Sequence, residues 1–168
     1  MNNDAHLHLV LNHLPILGVL FGLLTMIGGY LLKNPSVKRT ALGMFVFSAV
    51  CAIPAYLTGE PAEEVVEGLP GVTEYLVETH EELANLFLWV VGALGLLSLA
   101  TLYTDLKSKK FASSMFAITF VAALGSMVLA QRVGSSGGEI RHTEIRTGVA
   151  AAAGTTAGEK ASTQEDDD

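Results

Sequence analysis

Apolar residues dominate four stretches of the chain, near residues 14–32, 41–57, 83–103 and 111–131, and polar or charged residues fill the gaps between them. Each run is close to the roughly 20 residues that cross the hydrocarbon of a bilayer as a helix. The runs are continuous rather than alternating, and a spanning helix satisfies its own backbone hydrogen bonds, so helices are predicted rather than strands. With their polar margins the spans fall at about 10–32, 40–58, 80–103 and 111–132. The pattern predicts an all-α integral membrane four-helix bundle over residues 1–146, with a short helical outer linker. Residues 147–168, rich in Ala, Gly and Thr and ending in EDDD, read as a disordered acidic tail.

Composition strengthens this reading. Half of the 168 residues are hydrophobic, 16% are charged and the mean hydropathy is +0.44, which points away from a soluble globule. The opening MNNDAH holds no Lys or Arg and no small-residue cleavage site follows it, so the first run is expected to stay as a span rather than be removed as a signal. Cys51 is the single cysteine and lies within the second run, where it reads as a small buried apolar residue.

Charge gives the bundle two unlike ends. Six of the ten basic residues, Lys33, Lys38, Arg39, Lys107, Lys109 and Lys110, fall in the first and third linkers. The second linker has no Lys or Arg and carries Glu60, Glu63, Glu64, Glu67, Glu74, Glu78, Glu81 and Glu82. The positive-inside tendency therefore predicts cytoplasmic basic linkers, with both termini on the outer, periplasmic side of a bacterial cytoplasmic (inner) membrane. Arg132, Arg141 and Arg146 after the fourth run weaken that bias without reversing it. A net charge of −7, with no patch of interleaved basic and aromatic residues, argues against nucleic-acid binding.

This topology gathers all five histidines on the outer side. His13 stands immediately before the first apolar run and His80 three residues before the third, so their depths should match. GVTEYLVETHEELANLF reads helical from about Thr73, which puts His80 two turns into a longer third helix. Neutral imidazole offers a ring nitrogen to iron, zinc or copper, and a haem iron can be held between imidazoles from facing helices. His13 and His80 are the pair that spacing selects as metal ligands, while His6 and His8 are expected in the headgroup region or in water. Arg141 and His142, in RHTEIR, are expected to fold over the same end and to contact haem propionates. Gly18 and Gly22 on helix 1, and Gly92 and Gly95 on helix 3, open flat faces below the histidines, suited either to direct helix packing or to a cofactor groove.

Two prolines make the outer part of the bundle irregular. Pro15 either frees the Leu11 carbonyl within a helix or is a tolerated first-turn residue, and Pro54 should free the Val50 carbonyl within helix 2. Asn12, Asn85 and Gln131 are expected to bridge helices or to steady a ligand group. GSSGGEIRH lacks the lysine of a phosphate-binding loop and is expected to form a flexible turn. No HExxH or CxxC is present, and no serine carries a hydrolase motif.

The segments NHLPI, YLTGEPAEE, THEELAN and GGEIRH together resemble the bacterial membrane-protein family catalogued as domain of unknown function 2231. The resemblance covers roughly residues 6–146. It implies a four-helix membrane protein with a histidine–proline segment in helix 1 and a histidine at the start of helix 3, which map onto His13, Pro15 and His80. The family segment more often reads His-Phe-Pro, where this chain has Leu14 in the middle. The family implies no established activity.

Three functional readings follow. In the first, one haem b near the outer face, between helices 1 and 3, relays electrons along the surface to membrane redox partners or a quinone. In the second, the chain is a cofactor-free membrane subunit or assembly factor, in a homo- or hetero-oligomer, that docks through its acidic linker. In the third, it is a divalent-metal sensor or transporter using His13, His80, His142 and nearby glutamates. The absence of ionisable residues at mid-span argues against ion transport by a monomer. The first reading makes the chain a carrier rather than an enzyme.

Overall fold

The computed structural model describes residues 4–146. The predicted tail at 147–168 lies outside the described residues. The element order is α1 (Asp4–Leu11), α2 (His13–Leu31), α3 (Pro35–Leu57), α4 (Gly59–Val66), α5 (Glu74–Leu106) and α6 (Ala112–Arg141), followed by a 3-10 turn at Thr143–Ile145. Four helical segments are long and apolar enough to span a membrane: Asp4–Leu31, Pro35–Leu57, Glu74–Leu106 and Ala112–Arg141. The chain is therefore a small multi-pass membrane protein.

Local chemistry sets the helix boundaries. Helix α3 starts where the Asn34 side chain accepts hydrogen bonds from the backbone N–H of Ser36 at 2.9 Å and of Val37 at 3.4 Å. Pro35 follows at the first helical position, where a missing N–H costs nothing. Helix α2 ends as Lys33 turns to a φ of 50° and the Asn34 N–H reaches back to the Gly29 carbonyl at 3.0 Å. Helix α5 ends in the same way, with Ser108 at φ 50° and the Lys109 N–H on the Thr104 carbonyl at 2.9 Å. Both are tight closures in which orphan carbonyls of the last turn find donors.

Helix α2 begins at His13, so Pro15 lies in its first turn, where no intrahelical donor is required. Helix α3 continues through Pro54 to Leu57 although Val50 has lost its i+4 donor. One expectation needs correction. GSSGGEIRH is not a turn: α6 runs through it to Arg141 despite the poor helix propensity of glycine, with Ser136 on the His80 ring and little room for a Cβ at Gly137 beside it. The acidic linker is helical as expected, through α4, which follows α3 directly and docks on α1.

Helix α2 packs along α3, α3 along α5, α5 along α6, and α6 returns to α2, so α2 and α5 face each other across the diagonal. Glycine sets the approach of α3 to both. A Cβ on Gly18 would lie 2.8 Å from the Ser48 Cβ, one on Gly22 2.5 Å from the Phe45 ring, and one on Gly95 2.5 Å from the Ala49 Cβ. Phe45 is fully buried, with Val19, Met26, Leu42, Val91 and Leu94 completing the centre. The outward faces are equally apolar: Leu31, Trp89 and Leu96 are more than 70% exposed, as expected of side chains that meet lipid rather than water.

Buried hydroxyls are satisfied inside the helices. Ser98 and Ser126 donate to the carbonyl four residues earlier at 2.7 and 2.9 Å, and the Thr101 and Thr119 hydroxyls each lie 2.8 Å from theirs, where one of the two donates. Thr101 and Thr119 also meet across the α5–α6 seam at 2.7 Å. Ser48 donates instead to the Pro15 carbonyl on α2 at 2.6 Å. At the basic end, the Arg39 guanidinium pairs with Asp105 at 2.6 Å and ties α3 to α5. The Lys38 ammonium lies over the rings of Phe116 and Tyr30, at 4.6 and 5.3 Å from their centres.

Gly92 and Gly95 provide an internal comparison, since a Cβ at Gly92 meets nothing within 4 Å. Gly95→Val should destabilise the bundle by about 1–3 kcal/mol through overpacking, whereas Gly92→Val should leave it nearly unchanged. Thermal unfolding of the two variants in the same detergent measures the difference.

Candidate functional site

Four elements converge at the end of the bundle opposite the basic linkers. Helix α1 supplies His8, the α3–α4 junction supplies Thr58 and Gly59, α5 supplies His80, and α6 supplies Ser136 and Gly137. The rings of His8 and His80 are 6.5 Å apart centre to centre, with their planes crossed at 88°. Each ring has a hydroxyl partner: His8 Nδ1 meets Thr58 Oγ1 at 3.2 Å and His80 Nδ1 meets Ser136 Oγ at 3.0 Å.

Counting hydrogens assigns the tautomers. Ser136 donates its one hydroxyl proton to the Val133 carbonyl at 3.0 Å. Thr58 directs its proton to the carbonyls of Pro54 and Ala55, at 2.9 and 3.0 Å. With those protons on the carbonyls, each hydroxyl offers the imidazole a lone pair, and the matching tautomer is the one with its N–H at Nδ1. In that tautomer Nε2 carries the lone pair, the state in which imidazole ligates a metal.

Glycine stands beside the Cε1 edge of both rings. A Cβ at Gly137 would lie 3.0 Å from His80 Cε1, and one at Gly59 would lie 3.8 Å from His8 Cε1. Thr58-Gly59 and Ser136-Gly137 thus act alike, the hydroxyl engaging Nδ1 and the glycine leaving the ring room.

The residues selected from the sequence divide between this centre and its surroundings. His80 is central, but the ring it meets is that of His8. His13 is exposed and turned onto its own segment, with Nδ1 2.7 Å from the Leu9 carbonyl. His6 and Arg141 are exposed. His142 is exposed and pairs with Glu144 at 2.9 Å. The faces of Gly18 and Gly22 are filled by Ser48 and Phe45, and Gly92 faces outward, so these glycines serve helix packing or lipid contact. The Asn12 Oδ1 atom is buried with no hydrogen-bond partner among the described residues. Asn85 lines an open groove of about 300 Å³ with Tyr56, Glu78, Glu81 and Glu82, away from the imidazole pair. Among the described residues no three His, Cys, Asp or Glu side chains gather into a metal cage.

Arg146 has a role that sequence reasoning missed. Its guanidinium donates to the carbonyls of Glu139 at 2.7 Å, Ile140 at 3.0 Å and Gly71 at 2.8 Å, tying the linker loop to the end of α6. An arginine after a helix C-terminus, where orphan carbonyls collect, is the signal that could have found it. Nearby, the Glu144 carboxyl is held below its ordinary range by its own backbone N–H and by His142.

Comparison with family models, with curated proteins and with solved structures finds no significant match.

The acidic linker has its own electrostatic signature. Partial burial, reinforced by Glu81, Glu67, Glu60 and Glu78, raises the Glu63 carboxyl above its ordinary range. Between that range and the raised value, the folded protein binds more protons at Glu63 than the unfolded chain does, so the stability contributed there falls as pH rises. Glu63→Gln should therefore be more stable than the parent at neutral pH, with the advantage vanishing on acidification. Paired thermal unfolding curves across mildly acidic to neutral pH test the sign.

Proposed function

We propose that this small integral membrane protein holds a redox-active metal group, a b-type haem, at its histidine end, with His8 and His80 as the two protein ligands. The observation that carries the reading is the pair of imidazoles, each with a hydroxyl at Nδ1, whose ring centres are 6.5 Å apart. Rings this close would let His8 and His80 each offer one nitrogen to the same metal group.

The chain's own residues provide the ligand field. Thr58 and Ser136 hold the rings in one tautomer and raise the basicity of Nε2, while Gly59 and Gly137 leave the rings unobstructed. The filled faces of Gly18 and Gly22 direct the group to the level of Gly59 and Gly137 rather than deeper between the helices. Bound there, the iron would alternate between ferrous and ferric states and serve a membrane redox partner or quinone at that face. The distribution of lysines supports placing the histidine end outside and the basic end in the cytoplasm.

Segments carrying the resemblance to the domain of unknown function 2231 family supply Gly59, His80 and Gly137 to this centre, which favours reading the chain as a relative of that family. The same nitrogens would also hold a single transition-metal ion, and the packed glycine faces favour that smaller occupant as the second reading.

Absorption spectra of protein expressed with ample haem, oxidised and then reduced, test the proposal together with metal analysis. A sharp reduced band should be present, lost in His8→Ala and His80→Ala and kept in His13→Ala. Ser136→Ala should weaken retention of the group by about 10–100-fold. Colourless protein containing stoichiometric metal would select the ion instead, and colourless, metal-free protein would defeat both.

A further inference from the structure

We propose that the basic end of the bundle is a docking surface for anionic phospholipid headgroups, built on the α2–α3 and α5–α6 turns. The inference is independent of the histidine centre. The Arg39–Asp105 pair joins the start of α3 to the end of α5, so both turns belong to one end of the bundle. Two of the six basic residues there are engaged within the protein. Arg39 is neutralised by Asp105, and Lys38 lies over the Phe116 and Tyr30 rings. Lys33, Lys107, Lys109 and Lys110 are exposed, and among the described residues no carboxylate pairs with any of them.

The backbone holds these four lysines in place. Lys33 occupies the positive-φ position that closes α2, with its N–H on the Tyr30 carbonyl at 3.1 Å. Lys107 and Lys109 flank Ser108, the corresponding residue of α5, and their N–H groups reach the carbonyls of Tyr103 at 3.1 Å and Thr104 at 2.9 Å. Lys110 follows directly. The ammonium groups therefore extend from hydrogen-bonded turns at the ends of two apolar spans, where the lipid phosphates lie. Asp105 is the one acid in these turns and is already paired, so the surface is unopposed positive charge. Each lysine held near an anionic membrane surface contributes about fivefold to the attraction, over a range set by ionic strength. The position of the turns at span ends favours a lipid over a soluble anion as the occupant.

The test reconstitutes the full chain in bilayer discs of phosphatidylcholine with a minor share of phosphatidylglycerol, extracts it gently, and counts the phospholipids retained by native mass spectrometry. Phosphatidylglycerol should be enriched on the parent protein and should fall as salt is raised. The combined variant K33Q/K107Q/K109Q/K110Q should lose that enrichment, by up to about fivefold per lysine, while the corresponding four-arginine variant keeps it. Equal retention of the two lipids by the parent, or enrichment insensitive to salt, would overturn the proposal even if the glutamine variant failed to fold. So would a well-folded glutamine variant that retains phosphatidylglycerol as the parent does.

Discussion

The close approach of α3 to α2 and to α5 is the contact on which the other features depend. Without a side chain at Gly18, Gly22 or Gly95, α3 presses Ser48, Phe45 and Ala49 against its neighbours, and Ser48 donates its hydroxyl to the Pro15 carbonyl. In lipid there is little hydrophobic gain from joining apolar helices, so dispersion contacts at short range and a few hydrogen bonds must hold the bundle together. Helix α3 thus becomes the shared wall between α2 and α5, which lie on opposite corners. Its C-terminus brings Thr58 and Gly59 to the centre where His8 and His80 meet.

The two ends of the bundle use charge differently. At the basic end, one ion pair and two aromatic rings absorb Arg39 and Lys38, and the remaining lysines face outward from closed turns. At the histidine end, the acidic groups of α4 and early α5 crowd Glu63, while the His8 and His80 imidazoles meet hydroxyls rather than carboxylates. That separation matters chemically. An imidazole whose Nδ1–H is taken up by a neutral acceptor stays neutral and keeps Nε2 available, whereas a carboxylate partner would favour the imidazolium.

Much of the architecture was legible in the residues. Continuous apolar runs marked the four spans, and the helical pattern from Thr73 anticipated α5, which begins at Glu74. His80 was selected by its depth at the head of that helix. His13 was selected as its partner by the same reasoning, yet the ring beside His80 is that of His8. Depth along a helix is set by sequence spacing, but the face a ring occupies also depends on how the segment before Pro15 is laid down. Helix α1 separates from α2 at Asn12 and docks on α4, which carries His8 to Thr58. GSSGGEIRH was misread for a related reason, since local propensity disfavours helix there and the packing of this segment against His80 is not visible in the spacing.

By itself, the sequence determined the number and length of the spans, the contrast between a basic and an acidic end, and the presence of histidines at the acidic one. These follow from hydrophobicity and charge, which are properties of residues summed along the chain. Tertiary structure alone decided which glycines are contact points, which imidazole faces His80, which hydroxyl meets each ring, and which lysines are left unpaired. Those outcomes depend on partners distant in sequence, as in Gly22 with Phe45 and His8 with His80, and spacing along a chain carries no information about the far side of a contact.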